Sequence, residues 1–174
     1  MKKFLLVFFV AMLAGCMQNT TNVGKSQVDR SQLMLVSSDE INEASAKAYN
    51  EVIAQAKSEN KLNKDIKLTK RVKTISNKLI AKAPYFREDS AKWNWEVNVI
   101  TSDTINAWCM AGGKIAVYTA IVEKLKLNDD EIAFILAHEI AHALREHVRE
   151  QQNKKKIKNG LISVASMFGV DNTI

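Results

Sequence analysis

All three histidines of the 174-residue chain fall in one stretch, "FILAHEIAHALREH", residues 134–147. His138 and His142 are four residues apart. On a helix that spacing separates them by about 40° around the axis and about 6 Å along it, so both imidazoles reach one ion from the same face. Glu139 is offset by about 100°, beside such an ion and not on it. In this H-E-x-x-H arrangement a zinc ion polarises a water, and the glutamate takes the water's proton and later passes it to a leaving amine. His138 and His142 are therefore the expected ligands of one zinc ion (Zn2+), and Glu139 the expected general base. Ile140 and Ala141 inside the motif are uncharged and the residues before it are apolar, which favours this reading over a chance occurrence.

His147 is a different case. It lies five residues past His142 and nine past His138, rotated by about 140° and 180° from them on a straight helix. It cannot reach the same ion that way and is expected at the surface. A metzincin pattern is also disfavoured, because its third histidine and its glycine fall on Val148 and Arg145 here.

The metal helix carries its own start signal. Asn128 is the expected N-cap, Asp129 and Asp130 suit the positive end of the helix dipole, and Glu131 completes an N-x-x-E arrangement. The helix is expected from Asp129 to about Lys156. Upstream, Ser37 and Glu40 have capping-box spacing and Val36 with Ile41 could form a staple, predicting a helix from about Ser38 to Lys57. Val72, Ile75 and Leu79 predict another over 69–82, before Pro84. In "WNWEVNVI", residues 93–100, apolar and polar residues alternate, the pattern of a strand with one buried face. Gly112 and Gly113 lead into "KIAVYT", a second strand-like run, and a short helix from about Thr119 to Leu127 follows.

The chain opens with "MKKFLLVFFVAMLAGC". Two lysines and about ten apolar residues make a secretory signal, too short for a membrane span of roughly 20 residues. "LAGC" resembles the lipobox of bacterial lipoproteins, which makes Cys16 the expected lipid anchor, residues 1–15 the signal peptide and residues 16–30 a flexible tether. Met17 after the cysteine is similar to the sorting pattern that favours the outer membrane, facing the periplasm. With Cys16 acylated, Cys109 has no partner for an intramolecular disulfide and is expected as a small buried hydrophobe. The formal net charge of +6 falls to +4 when Lys2 and Lys3 leave with the signal. A nucleic-acid partner is not expected, and the cluster "KKKIK" at 154–158 reads as a solvated helix end.

Residues 106–151, "NAWCMAGGKIAVYTAIVEKLKLNDDEIAFILAHEIAHALREHVREQ", resemble the HtpX-like and CAAX-prenyl-protease-like zinc metallopeptidases, most closely their lipoprotein and mitochondrial quality-control branch. The "NA" turn with "GGKIAVYT", the acidic start "NDDEIAFILAHE" and "HEIAHALREH" carry the resemblance, and "SQLMLVSSDE" is similar to the same branch. It implies an α+β, zincin-like fold, mainly helical around a small β-sheet, with residues 31–174 the N-terminal part of a catalytic domain. It also implies polypeptide substrates, namely unfolded or damaged envelope proteins. Gly113, Lys114, Ile115 and Ala116 would form the edge strand of the cleft, where an extended substrate adds through backbone hydrogen bonds, with Ile115 and Val117 packing inward. Ala111 stands where relatives often carry a proline.

A second departure concerns the metal. Relatives complete the site with a glutamate from a later helix, and a catalytic zinc wants three protein ligands. Glu146 lies about 9 Å along a straight helix from the histidine pair, Glu150 is further still, and Asp171 is the only carboxylate side chain after residue 150. The apolar run "GLISVASMFGV", residues 160–170, ends without an expected partner, so the chain reads as the front part of a longer protease. The expected function is a zinc-dependent metalloendopeptidase of the bacterial cell envelope, and the alternative is a non-catalytic peptide-binding lipoprotein module.

Overall fold

The structure, a computed structural model, describes residues 35–156 and two short strands ahead of them. Those strands, β1 (Met17–Gln18) and β2 (Gln32–Leu33), pair antiparallel, so the start of the segment expected as a tether enters a ladder. The expected signal peptide, Cys16 and the "GLISVASMFGV" run lie outside the described residues. Among the described residues no helix is long and apolar enough to cross a membrane.

The three longest helices start at capping side chains. Helix α1 (Ser38–Ser58) begins where the Ser37 hydroxyl accepts from the Glu40 N–H at 3.1 Å, and runs one residue past the expected end. Its inward stripe carries Tyr49 and Ala56, with Val52 and Ile53 partly buried. Helix α2 (Ile66–Ile80) starts three residues before the expected 69, because Asp65 caps the Leu68 N–H at 2.8 Å. Its stripe of Leu68, Val72 and Ile75 is buried. A short helix α3 (Ala83–Phe86), with Pro84 in its first turn, and a 3-10 turn (Glu88–Lys92) lead to the sheet.

The sheet has three strands. β3 (Glu96–Ile100) runs parallel to β5 (Lys114–Tyr118), and β4 (Ala107–Met110) pairs with β5 antiparallel, with Val117 opposite both Val99 and Ala107. The order is β3-β5-β4, so the strand expected at the cleft edge is central. The physical reason is its burial on both faces. Ile115 and Val117 face α2 and the helix that carries the histidines as expected, while Ala116 faces α1, and all three are at most 2 % exposed. The unbroken apolar run of Ile115, Ala116 and Val117 is the pattern of a strand covered on two sides. Trp93 and Trp95 precede β3 and pack, partly buried, against the same core.

Helix α4 (Thr119–Lys124) is three residues shorter than expected. Helix α5 (Asp129–Leu144) then crosses the sheet, and both halves of its capping box form: Glu131 N–H to Asn128 Oδ1 at 3.0 Å, and Asn128 N–H to Glu131 Oε2 at 2.8 Å. Ile132, Leu136, Ile140, Ala143 and Leu144 bury one face of it against the sheet and α2. The molecule is thus layered, with α1 on one face of the sheet and α2 with α5 on the other.

The expected single helix to Lys156 is interrupted. Arg145 caps α5, Glu146 adopts the left-handed region (φ +53), and residues 147–156 are helical again. A left-handed non-glycine residue costs about 1 kcal/mol or more, and buried polar contacts offset it. The Glu146 carboxylate accepts from the Ser38 hydroxyl and from Arg149 Nη1 at 2.7 Å, and pairs with Arg87 Nη2 at 3.1 Å. Arg149 also donates to Val36 O, and Asn153 Oδ1 accepts the Leu35 and Val36 N–H groups at 2.7 and 2.8 Å. The segment after the break is clamped onto the start of α1.

Candidate metal centre

Helix α5 turns His138, Glu139 and His142 away from its buried face: His138 is exposed, and Glu139 and His142 are half-buried. The ring centroids of His138 and His142 lie 4.5 Å apart, and their Nε2 atoms approach to 3.0 Å. Two nitrogens bound tetrahedrally to zinc at about 2.0–2.1 Å sit about 3.3 Å from each other. The pair therefore suits a shared zinc ion with a movement of a few tenths of an ångström. The chemistry fits as well, since neutral imidazole is a common zinc ligand.

Glu139, half-buried, acts through its charge on Cys109 of β4, whose thiol is pushed well above its ordinary range, first by burial and then by that carboxylate. A thiol held protonated is a poor nucleophile. Cys109 packs in the main core, as its lone occurrence among apolar neighbours suggested.

His147 is not the surface residue that straight-helix geometry required. The break at Arg145 and Glu146 folds it back, half-buried, against His142, with ring centroids 4.6 Å apart and the two Nδ1 atoms in hydrogen-bond contact. His142 thus presents Nε2 to His138 and Nδ1 to His147. No glycine, proline or asparagine announces the break, so no local signal was available to find this contact.

A third ligand is not in view among the described residues, where no group of three or more His, Cys, Asp or Glu side chains could hold a metal. Glu146 is committed to the buried cluster, Glu150 bonds Lys154 at 2.9 Å, and Asp171 lies outside the described residues.

The segment Gly113, Lys114, Ile115 and Ala116 does not line an open edge. Gly113 (φ +82) turns the β4–β5 hairpin beneath the Trp95 ring, and a Cβ there would sit 2.6 Å from that ring. Lys114 is buried and bonds Glu96 and Asn94 O. Ile115 and Ala116 have a strand on each side. The open edge beside α5 is β4. Tyr118 N–H bonds Asn106 O at 3.0 Å and Gly113 N–H bonds Met110 O at 3.2 Å, so by antiparallel alternation Trp108 also bonds β5 while Ala107 and Cys109 point their backbone groups outward. Among the described residues no further strand pairs with β4. On the other edge, residues 61–63 already bond β3 through Asn63 N–H to Val99 O at 2.7 Å and Thr101 N–H to Lys61 O at 2.9 Å.

Comparison with known proteins adds to this geometry. Peptidase family M48 matches over residues 67–172. The metalloprotease YcaL of Escherichia coli is 34% identical over 79% of this chain and 51% of its own length. The mitochondrial metalloendopeptidase OMA1 of Arabidopsis thaliana is 40% identical over 33% of this chain and 12% of its own length. The beta-barrel assembly-enhancing protease of Yersinia pestis is 28% identical over 51% of this chain and 17% of its own length. The chain spans about half, or less, of the length of these relatives. No solved structure matches it. With a buried helix presenting a paired-imidazole motif, and a family match covering more than half of its residues, the chain belongs to peptidase family M48.

Proposed function

We propose that this chain carries the zinc-binding helix and the substrate edge of a metalloendopeptidase that cuts extended segments of unfolded or damaged proteins in the bacterial cell envelope. The observation that carries the reading is the Nε2 pair of His138 and His142 at 3.0 Å, with Glu139 in the same helical turn. His138 and His142 would hold the zinc, which when bound supplies a Lewis acid for the carbonyl and the attacking water. Glu139 takes the proton of that water and passes it to the leaving amine. The third protein ligand comes, in this reading, from outside the described residues.

Substrate adds to β4 as a further strand through the outward N–H and C=O groups of Ala107 and Cys109. This moves the docking edge from the Gly113–Ala116 segment to its hairpin partner. Cys16 tethers the protein by lipid, at the periplasmic face of the outer membrane. A relative named a beta-barrel assembly-enhancing protease supports envelope proteins as the substrate class.

Zinc content, measured together with cleavage of an unfolded reporter polypeptide, tests the proposal. Stoichiometric zinc and a cleavage lost in Glu139→Ala support it. The lack of a third ligand among the described residues favours a second reading, a peptide-binding module without turnover. Weak zinc uptake, no cleavage and retained peptide binding would select that one.

A further inference from the structure

We infer that His147 is a positioning residue that fixes the ring tautomer of His142 and raises its affinity for metal. The inference rests on the reading of His138 and His142 as metal ligands. A neutral imidazole that offers its Nε2 lone pair to an ion keeps its proton on Nδ1. Nδ1 of His142 faces Nδ1 of His147, so the His142 N–H donates and His147 accepts, its own proton resting on Nε2. Outer hydrogen bonds of this kind hold a ligating ring in one orientation and make it more basic, and their loss typically costs 10–100-fold in metal affinity.

The geometry rejects His147 as a ligand in its own right. It meets His142 on the nitrogen opposite the one that faces His138. What brings His147 there is the left-handed turn at Glu146, held by Ser38, Arg87 and Arg149 from three different parts of the fold. The buried ionic cluster thereby supports the metal helix from behind, through one residue placed just past the turn.

The experiment uses the full chain with His147→Ala and His147→Asn, the amide oxygen of asparagine replacing the Nδ1 acceptor at similar reach. Zinc dissociation constants come from competition with a chromophoric chelator. The His142 tautomer in metal-free protein comes from imidazole nitrogen NMR at about pH 8, above the ordinary histidine pKa. The expected result is zinc binding weakened about 10–100-fold in His147→Ala, recovery in His147→Asn, and a His142 Nδ1–H signal present in the wild type and His147→Asn but diminished in His147→Ala. Equal zinc affinity in wild type and His147→Ala, with uptake lost in His138→Ala and His142→Ala, overturns the inference alone. Equal weakening in the Ala and Asn variants with the tautomer unchanged assigns His147 to packing and overturns it too. Zinc uptake indifferent to His138→Ala and His142→Ala overturns the metal reading, and this inference with it.

Discussion

Glu146 and Arg149 form an ion pair at 2.7 Å with both side chains less than a tenth exposed, just beyond the end of α5. The pair closes a cluster with Arg87 and Ser38, and it holds a glutamate in a backbone conformation that glutamate disfavours. Removing one member leaves the others charged and buried, the costly half of a buried ion pair. Glu146→Ala is expected to destabilise the fold by about 3 kcal/mol, measured by urea unfolding. Glu146→Gly relieves the backbone and not the charges, so it should recover only about 1 kcal/mol of that loss.

The same carboxylate predicts the acid limb of stability. Burial alone would raise its pKa, but hydrogen bonds from Ser38 and Arg149 and the charges of Arg87 and Arg149 outweigh burial and hold it below the ordinary 4.5. A group whose pKa is lowered by folding contributes stability that is fully present above its unfolded value and is lost as pH falls through the folded one. Asp89 beside Arg87 is shifted the same way. Unfolding free energy measured across a pH series should therefore be flat in this contribution above about pH 5 and fall below about pH 4.5, with a shallower fall in Glu146→Gln.

These two cases show where sequence reading reached its limit. Ser37 and the Asn128–Glu131 pair are local caps that act within four residues, and each announces its helix start in the sequence, whereas the start of α2 is set by the Asp65 cap, which the apolar spacing of Val72, Ile75 and Leu79 does not mark. The H-E-x-x-H spacing likewise brought His138 and His142 together through helix geometry alone. The turn at Arg145 and Glu146 is fixed by partners 108 residues away at Ser38 and by Arg87 on a different element, which no local pattern encodes. His147 was misplaced because its position depends on that turn. Strand order is non-local in the same sense: "KIAVYT" reads as a strand, but its place between β3 and β4 depends on which neighbours arrive. The lack of polar alternation at Ile115, Ala116 and Val117 was the one available sign that it lies inside the sheet.

The two glycines of the hairpin separate backbone strain from steric overlap. Both have positive φ, but a Cβ on Gly112 meets only Asn42 atoms at 3.7 Å or more, whereas one on Gly113 runs into the Trp95 ring. Gly112→Ala should cost about 1 kcal/mol from strain alone. Gly113→Ala should cost about 3 kcal/mol, because the clash adds overpacking to strain, and it should shift the tryptophan fluorescence of the folded protein. Thermal unfolding of both variants checks the difference.

The proposed docking edge gives the sharpest separation between function and fold. Ala107 is the first residue of β4 and its N–H points away from β5, while Trp108 bonds into the ladder opposite Ala116. Proline removes one N–H and is tolerated at strand starts and on outer edges. Ala107→Pro should leave the protein folded while weakening peptide binding about tenfold, the worth of one hydrogen bond of about 1.4 kcal/mol. Trp108→Pro removes a ladder bond and an aromatic side chain that stacks edge-on against buried Tyr49 at 5.9 Å, so it should lower the melting temperature sharply. Binding of an extended peptide, followed by fluorescence beside a thermal melt, distinguishes the two. If Ala107→Pro binds peptide as well as the wild type, β4 is not the docking edge, and the substrate must be held by groups outside the described sheet.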